Sequence, residues 1–500
     1  MANLTGQEIR NTYQGLLKTD DNDALSPSEK AITDGLGNVS AISLSTDNLQ
    51  ITGGLKDFTG ELGTPGQFLS STGTGTDWAD VVIPAGVFEA GTGTGAIQAV
   101  DGGSTATANY SFAFGKSNTA SALYSSASGA YSTASGLYDT ASGGYAIAQG
   151  GYSTASGYRV TASGQYSFAK GRYTTASGNY ASLAIGDNTT ASGNYSVALG
   201  AYSISSAYYS FASQSAQATA NYAVAFSESL ASGDYSFAFG GGSASGYASL
   251  SLGKFSLASG SSSVALGTGN ASGDYSVSLS GGQSYGWGSI ATQSGQANGN
   301  SSIAIGYASR AGVTDGGSPY GDGQVAIGTN SYAQGTASIA IGSSFFGNTT
   351  ASGNYSAAFG DNTSATGDYS LAFSYGTASG SDSFARNSAT ASGTYSTASG
   401  FYSAATAHYS SAHGNLCTAS GYYSFAYGNI ANASGYGSFA FGTNAMANRG
   451  GAIVMGDSIT SNRDNTLHVL NLSIMTIPTS AAGLPSGAVW SNAGVLNIVP

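Results

Sequence analysis

The sequence predicts an all-β fold, a parallel β-roll (solenoid) of about 14-residue coils, with a small α+β amino-terminal region and a carboxy-terminal β module. Three observations carry this. A unit of about seven residues, Y-S-x-A-x-G-x, repeats from Ala106 to about Met455. Within each unit the residues alternate with period two. Successive units alternate between a greasy and a polar class. Gly at 76 of 500 residues and charged residues at only 8% fit no ordinary globular domain, so the repeat has to organise the chain.

Residues 1–90 read as an attachment region. Thr5-Gly6-Gln7-Glu8 is a capping box ahead of Ile9, Tyr13, Leu16 and Leu17 at helical spacing. Ser26-Pro27-Ser28-Glu29 repeats the signal with proline at the first helical position. Two short helices are predicted, ending near Asp20 and Gly35. Residues 37–53 alternate as strand, and 63–80 read as loops with short β pieces.

Residues 91–457 are the predicted shaft. The aromatic position steps by seven or fourteen through Tyr110, Tyr124, Tyr131, Tyr138, Tyr145 and Tyr152, and later drifts as turns take small insertions. A heptad invites a coiled coil, but a Gly in almost every heptad costs a helix roughly 1 kcal/mol each, which excludes it. Ser111, Ala113 and Gly115 share one face, and Tyr110, Phe112 and Phe114 the other, so each unit is a short strand closed by a Gly turn.

The greasy class carries two bulky residues around a central small one: Phe112/Phe114, Leu183/Ile185, Val197/Leu199, Phe237/Phe239, Ile303/Ile305, Ile339/Ile341, Phe439/Phe441. The polar class reads Thr133-Ala134-Ser135 or Thr175-Ala176-Ser177. Two five-residue strands per coil would enclose almost no volume, so Ala, Ser and Gly are expected inside and the bulky pairs outside. Such an outward stripe far exceeds the few hundred Å² of apolar patch that a soluble monomer tolerates. No other segment is long enough to cover it, which predicts association along the stripe with closed cyclic symmetry. About 350 residues at ~4.8 Å per coil would make a rod on the order of 120 Å long.

Residues 458–500 are the predicted cap. Val489-Trp490 and Val495-Leu496-Asn497-Ile498 flank an Asn-Ala-Gly turn and read as a β-hairpin.

The units Asn194-Tyr195-Ser196-Val197-Ala198-Leu199-Gly200 and Ser301-Ser302-Ile303-Ala304-Ile305-Gly306 resemble the SVAIG repeats of trimeric autotransporter adhesin heads, and the resemblance covers about 70% of the chain. It implies a left-handed parallel roll and a homotrimer, with the greasy pairs at the trimer interface. The ends resemble something else. Gly66-Gln67-Phe68-Leu69-Ser70-Ser71-Thr72-Gly73 followed by Trp78 is similar to the leading segments of phage tail-fibre proteins, and Gly483-Leu484-Pro485-Ser486-Gly487 before Trp490 to a small terminal module of phage structural proteins. Met1 to Arg10 lacks an apolar stretch of the signal-peptide kind, and no heptad stalk or carboxy-terminal membrane barrel is visible. The expectation is therefore a virion structural protein, a tail or capsid fibre made in the host cytoplasm. It would mount on the particle through residues 1–90 and touch a glycan or protein of the host surface. A decoration or spacer fibre without a receptor site, and a cell-surface trimeric adhesin, are the alternatives.

Chemistry is sparse. With a net charge of -12 and 13 Lys and Arg over the whole length, no nucleic-acid partner is expected. No run of 18 apolar residues predicts membrane insertion. A single cysteine, Cys417, precludes an intrachain disulfide. His408, His413 and His468 have no acidic neighbours at nucleophile spacing, and Asp234, Asp274 and Asp368 are widely spaced turn residues, so no enzyme, cofactor or metal is expected. A Tyr ladder at the corners could bind sugar or only shield strand edges. In the greasy strands the pair turns polar at Ser126/Ser128, Thr140/Ser142, Thr154/Ser156 and Phe168/Lys170, and again at Phe384/Arg386, Thr397/Ser399 and Ser411/His413. Either the phase slips or the rod widens so that these side chains meet water, or Lys170, Arg386 and His413 each form threefold clusters holding anions or water.

Overall fold

The computed structural model describes residues 17–21, 23–33, 37–47, 49–51, 59–61, 67–71, 76–80, 88–100, 102–312, 322–343, 347–473 and 475–500. The chain divides into two compact units, residues 1–90 with 97–104, and residues 91–96 with 105–500.

The first unit contains a four-stranded antiparallel sheet in chain order, Lys18–Thr19, Lys30–Thr33, Val39–Leu44 and Leu49–Ile51. A hairpin pairs Gln67–Ser71 with Thr76–Asp80. The described residues contain no helix, which corrects the expected α+β character of this region. Most of the first expected helix lies in residues 1–16, outside the described residues, and its end at Lys18–Thr19 is strand. The second is replaced by Lys30–Thr33, which pairs with strands on both sides. The physical reason is length and composition. A cap satisfies a helix end but does not supply a helix, and only five residues separate Glu29 from the breaker Gly35, among them β-branched Ile32 and Thr33. Pairing then wins, and an ion pair from Lys30 to Asp21 at 2.6 Å joins the segments around the turn.

The second unit is the parallel β-solenoid. Strands from Phe112–Lys116 to Ile453–Met455 stack in register as one sheet, and short strands from Thr105–Ala106 to Met446–Ala447 form the other. Phe112 pairs with Ser126 fourteen residues on, Phe168 with Leu183 after fifteen, and Val224 with Phe237 after thirteen. The two sheets are unequal: the greasy strands have three or five residues, whereas the polar strands have two or three and not the five expected. After the central Ala the chain turns at once, as where Ser125 N donates to Ala122 O at 3.0 Å. Beyond the stack, Val489–Asn492 and Val495–Ile498 form an antiparallel hairpin around Ala493 and Gly494, both at positive φ.

The interior is built of Ala together with columns of buried Ser and Thr. Ala113, Ala127 and Ala141 of one sheet and Ala120, Ala134 and Ala148 of the other have no exposed surface. Cohesion therefore comes from backbone ladders and close approach of small side chains, and little from large apolar groups. A second column adds hydroxyl staples. Ser132, Thr174, Thr349 and Ser403 each donate to the Gly carbonyl of the following coil, at 2.9 Å to Gly143, 2.8 Å to Gly186, 2.7 Å to Gly360 and 2.7 Å to Gly414. Cys417 occupies the same position, with Sγ 3.2 Å from Gly428 O. It is fully buried, and burial pushes its thiol above the ordinary value. The native chain should therefore resist an aromatic disulfide reagent, with labelling appearing only on denaturation; Cys417→Ser should fold normally, because the hydroxyl restores the staple. Labelling of the folded chain within minutes would mean that this coil opens.

The corners carry the tyrosines, and they do so in an unusual conformation. Tyr124, Tyr138 and Tyr152 have φ of 58°, 56° and 54°, left-handed values that cost a side-chain-bearing residue about 1–2 kcal/mol. Stacking offsets that cost. The rings of Tyr110, Tyr124, Tyr138, Tyr152 and Tyr166 follow one another at 5.2, 4.8, 5.0 and 5.1 Å, near parallel. Tyr138→Ala keeps the strained backbone and loses two stacks worth about 0.5–1.5 kcal/mol each, whereas Tyr138→Gly loses the stacks and relieves the strain. Local stability by amide hydrogen exchange should fall in the order Tyr, Gly, Ala; an Ala variant equal to wild type would mean the ladder contributes nothing.

Candidate functional site

The outer face of the greasy sheet is the largest coherent surface feature of the solenoid. Parallel register aligns its bulky residues coil by coil. One row runs Ile290, Ile303, Val325, Ile339, and its neighbour runs Thr292, Ile305, Ile327, Ile341, Phe359. The expected pairs all lie on this face, and in most of them the second member is the more open, Phe114 at 45% exposed, Phe239 at 48% and Ile305 at 36%, whereas in Phe439/Phe441 it is the first, at 38%. Each coil with such a pair thus leaves apolar area that nothing else in the solenoid covers.

Two stretches interrupt the face. Ser126, Thr140 and Thr154 replace the apolar residue through three successive coils, in register between Phe112 and Phe168. Lys170 follows, aligned with Ser156 and Ile185. Arg386 and His413 lie far along the stack from Lys170, on either side of Ser399, in the row that runs Phe373, Arg386, Ser399, His413, Tyr427. The structure therefore groups Arg386 with His413 and leaves Lys170 by itself. His413 Nδ1 lies 2.9 Å from Ser399 Oγ. Burial, and secondarily the Arg386 charge, hold His413 below the ordinary imidazole value.

The corners hold features that heptad spacing did not reveal. Tyr158 stands edge-on to Tyr145 and Tyr173, and the Arg159 guanidinium lies 5.7–5.8 Å from all three ring centres. Beside them Arg172 pairs with Asp187 in a fork, Nε to Oδ1 at 3.1 Å and Nη2 to Oδ2 at 2.5 Å. Arg159 occupies a position where a tyrosine is expected, which is the signal available in the sequence. Among the described residues no three His, Cys, Asp or Glu side chains converge as metal ligands, and no helix is long and apolar enough to cross a membrane.

The family model of the YadA head domain repeat (two copies) matches residues 106–132, 134–159, 141–167, 179–203, 227–243, 244–270, 296–312, 321–344, 351–373 and 419–456. The solenoid is similar to a YadA head. No curated protein matches the chain. The YadA head match overturns the expectation of a phage tail fibre: it falls on an adhesin head repeat, carries nothing specific to a virus particle, and does not extend to the short end segments on which that expectation rested. What stands is a repeat-rich β-roll similar to an adhesin head repeat.

Proposed function

We propose that the chain is a surface adhesin whose YadA-like head assembles as a homotrimer through the outer face of its greasy sheet and presents the Tyr corners and Thr/Ser face outward to a host or neighbouring cell surface. The uncovered apolar stripe carries this reading. Its area is too great for a free monomer, and a closed threefold contact removes it from water without leaving an open seam. The outward corners suit contact with glycans or proteins, because stacked phenols offer flat apolar faces with hydroxyl tips. Multi-angle light scattering should give a mass near three times 49.4 kDa, and the purified trimer should bind host cells saturably. A monomeric mass would overturn the assembly; a trimer without cell binding would make the chain a spacer.

A further inference from the structure

Arg386, Ser399 and His413 follow one another in register through three successive coils of the stripe, Arg386 exposed, His413 half-buried and Ser399 buried between them. With Asn387, Phe425 and Tyr427 they line a depression of 630 Å³. The rows on either side are apolar again, with Phe373 before Arg386, and Phe441 and Met455 after Tyr427. The acids of this stretch, Asp361, Asp368 and Asp382, sit at or beside left-handed corner residues and not on the sheet face. Among the described residues the ion pairs are Lys30–Asp21 and Arg172–Asp187, so Arg386 has no carboxylate partner.

Threefold assembly would bring three such clusters together inside an otherwise apolar contact. Three guanidinium groups cannot be taken from water without a counter-charge, since an uncompensated buried charge costs several kcal/mol. We propose that Arg386, Ser399 and His413 from the three chains enclose a small oxyanion, with Arg386 and protonated His413 as donors and the Ser399 hydroxyl completing the site. The site rests on the trimer proposed above. Guanidinium forks match oxyanion geometry, which favours phosphate- or sulfate-like ions over a halide. The groups facing His413 are Arg386, Ser399 and Tyr427, none of them acidic. In the free chain burial and Arg386 therefore favour the neutral ring; a bound anion reverses the electrostatic part, so proton and anion should bind together and affinity should rise as pH falls through the imidazole range.

The test is calorimetric titration of the full chain with inorganic phosphate at pH 6 and pH 8, with light scattering on the same samples. A saturable site at a stoichiometry of one per three chains is expected, tighter at pH 6. Arg386→Gln and His413→Gln should each weaken it tenfold or more, and Arg310→Gln, on the outer face of the opposite sheet, should leave it unchanged. All three side chains point outward, so circular dichroism should confirm intact coils. A trimer that takes up no phosphate, or takes it up equally in Arg386→Gln, overturns the site while leaving the assembly standing. A monomeric mass overturns the assembly, and the enclosed site with it.

Discussion

Gly143→Ala is expected to unpair the coils around it, exposing amides of roughly two coils on either side to hydrogen exchange within minutes while more distant coils stay protected. Gly143 lies in a column in which successive glycines stack directly on one another, and its φ is +134°. A Cβ there would sit 2.0 Å from Gly157 O and 2.8 Å from Gly157 C, both backbone atoms of the next coil. No rotamer relieves that contact, because what blocks it is the ladder that holds the solenoid together. Backbone strain alone contributes about 1–3 kcal/mol, and separating the coils breaks several ladder bonds, so a local loss of about 4 kcal/mol or more is expected. Nearest-neighbour coupling keeps the damage local. Gly151→Ala is the control: φ is +81°, but the nearest atom to its Cβ is Leu137 O at 3.9 Å, so only backbone strain of about 1 kcal/mol applies. Equal exchange in the two variants would mean that coil spacing adjusts freely and that small residues are not what sets it.

The same close spacing explains which parts of the molecule were readable beforehand. The small residue at the centre of each unit has to be small because the opposite sheet leaves no room, and that constraint repeats in almost every coil, so Ala113 and Ala120 announce their burial by position alone. The bulky pairs at Phe112/Phe114 or Ile303/Ile305 follow from the same argument, being excluded from the interior. The tyrosine corners were visible as a column but not as left-handed residues, since a side chain at φ near 55° violates local preference and is retained only through stacking with the coils before and after. Residues 1–90 lack any such repetition. There, one cap signal at Ser26-Pro27-Ser28-Glu29 was given more weight than the β-branched residues behind it, and tertiary pairing of Lys30–Thr33 decided the outcome. The grouping of Arg386 with His413 and the isolation of Lys170 needed register through coils of unequal length, which heptad counting cannot supply.

Replacing Ile303 and Ile305 together by Asp should convert the proposed trimer to a monomer without unfolding the coil. Both side chains project from the outer face, and their register neighbours Ile290, Val325 and Ile327 are outward too, so the Ala304 interior beneath them is untouched. In a free chain the two carboxylates would be hydrated and the apolar patch interrupted, which favours solubility. In a threefold contact the same substitution would place like charges around an axis among Ile, Val and Phe, with no cation on the stripe in the adjoining coils. Burying an uncompensated charge costs about 3–5 kcal/mol, so the dissociation constant should rise about a thousandfold or more. Light scattering should then report 49.4 kDa where the proposed trimer of the native chain would give three times that mass, with an unchanged circular dichroism spectrum. Thr161→Asp, on the outer face of the opposite sheet, should leave the trimer intact. If the double variant and the native chain share one mass, whatever that mass is, the stripe is not the contact. The apolar rows would then have to be covered from elsewhere in the chain, and the adhesin-like assembly would lose its physical basis.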